Sequence, residues 1–409
     1  MMAAWQQRLD AFIDEHFDYL VEVRRHLHAH PEPSGEEFAT SLYLYQILSD
    51  RGYAVEMGPE GRGVKADSPT VGSRVALRAD LDALRIHDHK QVAYRSQHDG
   101  ILHACGHDAH ATCVLGALLA LRYLSEEGLL PHPVPVRGVF QPAEETAEGA
   151  RQMVDAGILD GVEAIFATHM DPTRNTGQVG IRTGIMTANC DALRLVIQGR
   201  GGHAARPHES NDPIAAAAQL ISTLYLFVPR GADSQDAVVI SIGQILGGEN
   251  PNVIPESVEL RGTLRTLDRQ VRSRTIEHIR QLARGIAEAS GTQITVASDV
   301  GIGSVVNDAM LADLVRSAAI EVVGRDGIQE IVRPSMGSED FAAYLDHVPG
   351  CMFRLGCASD DIGHHGLHTP LFDIDERALA IGAKILTRAA VAFAEHRSKT
   401  ANQNETSRR

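Results

Sequence analysis

The chain is 409 residues long, 44% of them apolar and 22% charged, and its 53 acidic side chains against 38 basic ones give a formal charge of −15. Polyanion binding rests on clustered Lys and Arg, so an acidic chain without a basic run argues against nucleic acid and leaves small molecules or proteins as partners. The composition is that of a globular protein, and the length exceeds the roughly 250–300 residues at which one core stops growing, so two domains are expected.

Residues 1–20 place Asp10, Asp14, Glu15 and Asp18 among apolar residues, which reads as a helix of a cytoplasmic protein and not as a secretory signal. The longest apolar stretch, 214–228, is interrupted by Gln219, Ser222 and Thr223. It falls short of the roughly 20 residues that a membrane span needs, so no membrane partner is expected. The cysteines, Cys105, Cys113, Cys190, Cys351 and Cys357, are odd in number and scattered, which argues against a disulfide framework and leaves a thiol available for chemistry.

Apolar spacing predicts a helix over 12–28 and another over 36–51, the second after a Pro31-Glu32-Pro33-Ser34-Gly35 break in which Ser34 is a candidate cap. Short β-branched runs predict strands at 74–78, 134–140 and 161–168, with a buried helix at 109–123: the rhythm of βα units around a mainly parallel sheet. From 187 to 299 the rhythm changes to strand 192–198, helix 212–227, strands 238–245 and Ser257–Thr266, helix 268–289 and strand 293–297. That β-α-β-β-α-β order is ferredoxin-like. The α/β pattern resumes with Ala309–Val323, 339–345 and a final helix over 376–395. The expected organisation is a large α/β domain, 1–186 and 300–396, carrying an inserted ferredoxin-like α+β domain, 187–299, with a disordered polar tail over 397–409.

The sharpest local signal is His103-Ala104-Cys105-Gly106-His107-Asp108-Ala109-His110, which crowds three imidazoles, a thiol and a carboxylate before a helix. Thiolate and imidazole are preferred ligands of zinc and related ions, and Cys105 and His107 can bind one centre from a loop. Glu144 and Glu145 follow the 134–140 strand, where ligands of α/β sheets bind; one can hold metal and the other move protons. Asp80 and Asp82 stand two residues apart after the 74–78 strand, and either can orient an imidazole. His169 ends the run 164–168, and His364, His365 and His368 offer imidazoles near the C-terminus. The stretch 199–208, which holds His203, is glycine-rich without a phosphate-loop pattern, and Arg265 at a strand end suits a substrate carboxylate.

Taken in order, His30-Pro31-Glu32, Arg78-Ala79-Asp80-Leu81-Asp82-Ala83-Leu84, the Cys105 loop, Glu144-Glu145, His169, Gly201-Gly202-His203, Met336-Gly337-Ser338-Glu339-Asp340-Phe341 and His368-Thr369-Pro370 resemble the M20 metallopeptidase family. The resemblance is to its branch of N-acyl-amino-acid amidohydrolases, such as hippurate hydrolases and auxin-conjugate hydrolases, and it is nearly full length. It implies a zinc-peptidase-like α/β/α catalytic domain with the inserted domain as lid and dimerisation element. It implies two divalent ions, zinc or alternatively manganese, nickel or cobalt, held by Cys105, His107, Glu145, His169 and His368, with Glu144 as general base. Asp82 is the implied orienting acid, and His203 the implied donor to the oxyanion, within one chain or across a dimer. Asn252 and Arg265 resemble substrate-contacting residues. Arg85, Ala109 and Arg206 depart from the branch's pattern without removing a ligand or the base.

The activity implied is hydrolysis of the amide of an N-acyl amino acid. A metallo-dipeptidase or other deacylase of the same family is the alternative, told apart by a need for a free α-amine. A non-catalytic metal-binding protein is the alternative of a different class, set against by the presence of Glu144 and all five ligand positions.

Overall fold

The computed structural model describes residues 3–406. The chain forms two compact units, one of Met1–Gly184, Val306–Val332 and Asp340–Arg409, the other of Ile185–Val305 and Arg333–Glu339. The last segment was not expected in the smaller unit. It is held there by backbone bonds, Ser335 N to Met186 O at 2.9 Å and Ala188 N to Gly337 O at 3.0 Å.

The larger unit is built on a sheet with the order Ala54–Met57, Val64–Asp67, Val136–Gln141, Arg74–Asp80, Val162–Asn175, Gly350–Ala358, Val179–Ile181 and Ile328–Glu330. Its centre is parallel: Arg74–Asp80 pairs so with Val136–Gln141 and Val162–Asn175, and Gly350–Ala358 pairs so with Val162–Asn175. Strands covered on both faces read as continuous apolar runs, and Val136–Gln141 is buried at every position. His107–Glu126 is buried along almost its whole length and packs with the terminal helix in the main core.

Three features differ from the sequence reading. The 12–28 helix is two helices, Ala4–Glu15 and Phe17–Ala29, parted at His16. Ser34 does not cap the next helix, Phe38–Asp50; its hydroxyl donates to Asp82 Oδ2 at 2.6 Å. The terminal helix, Arg377–Thr406, runs beyond His396, so the tail expected to be disordered from 397 is helical to Thr406, and 407–409 lie outside the described residues. Once a packed helix is nucleated, each added residue costs little, and Ala, Lys, Gln and Glu extend it readily.

In the smaller unit an antiparallel sheet has the order Val238–Leu246, Ser257–Thr266, Asn189–Gln198 and Gln293–Ile302. Helices Pro213–Phe227 and Arg269–Ser290 complete a β-α-β-β-α-β chain order. Both helices start on an aspartate cap: Asp212 accepts from Ile214 N and Asp268 from Gln270 N, each at 2.8 Å. Leu195, Ile197, Leu220, Leu260 and Ile279 lie in its core, and Asn189–Gln198 alternates in burial as a strand with one covered face should. Among the described residues no helix is long and apolar enough to cross a membrane.

Candidate metal centre

The larger unit brings the Cys105 loop, Glu144-Glu145, His368 and His169, the last from within the strand Val162–Asn175, together. Asp80 is the last residue of its strand, Glu144 follows Val136–Gln141, and His107 opens a helix. Between Cys105 and His107, Gly106 has φ +88°, and a Cβ there would meet Met170 Cβ and Cγ at 3.0 Å. Only glycine suits that turn. Ala143 (φ +51°), just before Glu144, and His368 (φ +61°) also lie in the left-handed region. Such backbone persists where its surroundings hold it, and His368 N donates to Ala104 O at 2.8 Å, tying one loop to the other.

Potential ligand atoms of Cys105, His107 and His169 lie within 4.8 Å of one another, and so do those of Cys105, Glu145 and His368. The Cys105 sulfur belongs to both groups and stands 3.6 Å from His169 Nε2. His368 Nε2 lies 3.2 Å from Glu145 Oε1, and Glu144 Oε2 and Glu145 Oε1 are each 3.9 Å from His107 Nε2.

Hydrogen bonds decide which imidazoles are available. His107 Nδ1–H donates to Asp82 Oδ1 at 3.1 Å, leaving Nε2 buried with no hydrogen-bond partner among the described residues. His169 Nδ1–H donates to Met170 O at 2.8 Å, which also turns Nε2 toward the sulfur. His110 differs. Met170 N donates to its Nε2 at 2.8 Å, so Nδ1 carries the proton that goes to Asp80 Oδ1 at 2.6 Å, and neither nitrogen is left for an ion. Asp80 is equally engaged, since its other oxygen accepts from Arg78 at 2.8 Å. Of the exposed C-terminal histidines, His364 bonds Asp360 O at 3.0 Å, and among the described residues neither it nor His365 joins a converging donor group.

The electrostatics suit a cation. Burial pushes the Cys105 thiol up to about 12, so a thiolate there requires a compensating positive charge. Burial first, and the charge of Arg354 second, hold His169 well below its usual pKa and therefore neutral, as a ligand must be. Burial would also lower His107, but Asp80 and Cys105 outweigh it and raise the group well above the usual value. Burial opposes the ionised form of Asp82; its bonds from His107 and Ser34 and from Glu145 N prevail and keep it below the usual carboxylate range. The orphaned His107 Nε2 and a thiol with imidazole and carboxylate neighbours form a donor set that fits late divalent ions.

Sequence reasoning missed the polar layer that positions this set. Arg24, fully buried, donates from Nε to Asp108 Oδ2 and from Nη2 to Asp373 Oδ1, both at 2.9 Å, while His28 Nδ1–H donates to Asp108 Oδ2 at 2.7 Å. Asp108 adjoins His107, so these bonds fix the start of its helix. Arg78 likewise joins Asp340 at 2.9 Å and Gln141 at 2.8 Å, anchoring the strand ends. Arg78, set among Val75, Ala76, Leu77 and Ala79, was a signal of this layer; Arg24, His28 and Asp108 stand among other polar residues and gave none. His103, counted with the metal motif, is buried with neither ring nitrogen hydrogen-bonded among the described residues, and burial lowers its pKa to about 4.

His203, Asn252 and Arg265 belong to the smaller unit. His203, exposed, lies on the short strand Gly202–His203, which pairs with Val253–Ile254, and Asn252 O accepts from Ala204 N at 3.1 Å. Arg265 is half-buried and donates to Met336 O at 2.8 Å.

Residues 76–392 match the model of peptidase family M20/M25/M40. The N-acetyl-L-cysteine deacetylase of Bacillus subtilis is 37% identical over 374 residues, 91% of this chain and 87% of its own. The IAA-amino acid hydrolase ILR1-like 5 of Arabidopsis thaliana is 34% identical over 400 residues, 96% of this chain and 90% of its own. Among solved structures, the YXEP protein of Bacillus subtilis, a dinuclear metal-binding peptidase of family M20, is similar with a TM-score of 0.80 and 33% identity, covering 93% of this chain and 99% of that one. The chain belongs to peptidase family M20/M25/M40.

Proposed function

We propose that this chain hydrolyses the amide bond of N-acyl amino acids, with Glu144 as general base at a two-ion centre held by Cys105, His107, Glu145, His169 and His368. The observation that carries the reading is the pair of ligand groups sharing the Cys105 sulfur, with Glu144 Oε2 3.9 Å from His107 Nε2 beside them. The relatives named for N-acetyl-L-cysteine and for IAA-amino acids support the substrate class. Zinc suits the donors best; manganese, nickel and cobalt remain compatible with them.

Divalent ions bound here supply Lewis acidity toward a water and an amide carbonyl. The chain's residues do the rest. Asp82 fixes the His107 tautomer, so that Nε2 stays directed at the centre. Glu144 takes the proton of the attacking water and returns it to the leaving amine nitrogen, which yields a carboxylic acid and an amino acid. His203 donates to the developing oxyanion, and Asn252 and Arg265 contact the substrate, roles that rest on the family resemblance, with the planar guanidinium of Arg265 suited to a substrate carboxylate.

The protein acts as a homodimer joined through the smaller unit. Edge strand Val238–Leu246 exposes Val239, Ile245 and Leu246, and the adjoining helix exposes Tyr225, Leu226 and Phe227, an apolar surface of the kind that marks an interface. All five cysteines are unpaired, which agrees with the cytoplasm.

The test of the base is Glu144→Gln. Metal content measured by plasma emission should match wild type while kcat for an N-acyl amino acid falls by about 10²–10⁴. Metal retained together with near-wild-type turnover would overturn the assignment.

A further inference from the structure

Strand Gly350–Ala358 sets Arg354 beside His169 on its parallel neighbour and opposite Gly180 on its antiparallel one. Residues directly opposed on adjacent strands share a face of the sheet, so His169, Arg354 and Gly180 form one row that starts at a proposed ligand. Arg354 is half-buried, and its guanidinium has neither hydrogen bond nor ion pair among the described residues. Further along the row the Arg174 side chain lies over Gly180, where an added Cβ would stand 2.9 Å from Arg174 Nε and 3.2 Å from Arg354 Cβ. The missing side chain at 180 is what lets two arginines occupy that patch. Arg174 is paired with Asp171, yet its buried Nε has no hydrogen-bond partner among the described residues. The one carboxylate of the patch, Asp171, is thus engaged by Arg174 and not by Arg354. A cation partly withdrawn from water and left unpaired has a standing demand for an anion, and a guanidinium meets a carboxylate with two parallel bonds. The register itself puts Arg354 directly across from His169, so its side chain leaves the sheet on the face that carries the proposed ligand.

We propose that Arg354 anchors an anion subsite for a second carboxylate of the substrate, borne either by an acidic amino-acid side chain or by a dicarboxylic acyl group. The inference rests on the amidohydrolase reading above, in which Arg265 meets the substrate's first carboxylate. It narrows the substrate class to N-acyl amino acids with an extra negative charge.

The test compares N-acetyl-L-glutamate, N-succinyl-L-alanine and N-acetyl-L-methionine on metal-loaded wild type, Arg354→Gln and Arg354→Lys. Wild type should prefer one dianionic substrate to N-acetyl-L-methionine by about tenfold or more in kcat/KM, the size of a charge-assisted bond. Arg354→Gln should abolish the preference through KM, and Arg354→Lys should restore part of it. Preference for the glutamate compound assigns the subsite to the side chain; preference for the succinyl compound assigns it to the acyl group. No preference for either, or an equal loss on all three substrates in Arg354→Gln, overturns the proposal. Titration calorimetry with succinate separates it from the parent reading. If no substrate is cleaved, the hydrolase reading fails, while weaker succinate binding by Arg354→Gln than by wild type still supports the subsite, and equal binding overturns it.

Discussion

Asp82 and His107 meet through a hydrogen bond of 3.1 Å, and the same carboxylate accepts from Ser34 at 2.6 Å and from Glu145 N at 2.9 Å. One buried side chain thus fixes the ring of one proposed ligand and the backbone of another. Ser34 lies far away in sequence, just before the Phe38–Asp50 helix, so the N-terminal helices also help to hold the centre in shape.

Asp82→Asn keeps the side chain's size but weakens its hold on the His107 ring. Orienting carboxylates of this kind contribute about 10–100-fold to metal affinity. The variant should lose metal to a competing chelator at a correspondingly lower chelator concentration, with its far-ultraviolet circular dichroism unchanged. Wild-type retention of metal would show that the Asp82–His107 bond is not needed to bind it.

Alkaline stability should report on Tyr94. Its hydroxyl donates to Asp373 Oδ2 at 2.8 Å, and burial first, with the Asp373 charge second, raises the phenol to about 12. The folded state therefore holds the proton more tightly than the unfolded chain, whose tyrosines titrate near 10. The stabilisation is complete below pH ~10 and is lost as pH rises from there through 12. Tyr94→Phe should flatten the fall of the urea midpoint across that window relative to wild type. Parallel pH profiles would contradict the shift.

A charge on the edge of the smaller sheet should prevent association. Ile245 is 62% exposed on strand Val238–Leu246, and lysine is a natural block to edge pairing. Sedimentation should give a dimer for wild type and a monomer for Ile245→Lys with unchanged circular dichroism. A monomeric wild type would remove the dimer reading outright.

Much of this organisation is legible in the sequence because its signals are periodic or local. Ser257–Thr266 and Ala309–Val323 read directly from apolar spacing, and Cys105 with His107 reads from donor chemistry packed into a few residues. Strand Gly350–Ala358 was not legible, since glycines and Arg354 interrupt a run that burial on both sides would otherwise make continuous. Position 34 looked like a helix cap because serine caps are a local rule, whereas its hydroxyl serves a carboxylate distant in sequence. Arg24, His28 and Asp108 escaped for the same reason: each is an ordinary polar residue until the fold converges them. Spacing alone also could not separate His110 from His107, a distinction made by the backbone N–H of Met170.

The most direct test of the central claim is amine release from a panel of N-acyl amino acids and unblocked dipeptides, using the purified protein with zinc, manganese, cobalt or nickel, before and after chelation. Cleavage of the acyl amino acids that stops on chelation and returns with metal is the predicted result. Cleavage confined to the dipeptides, or none with any of the four metals, would contradict it.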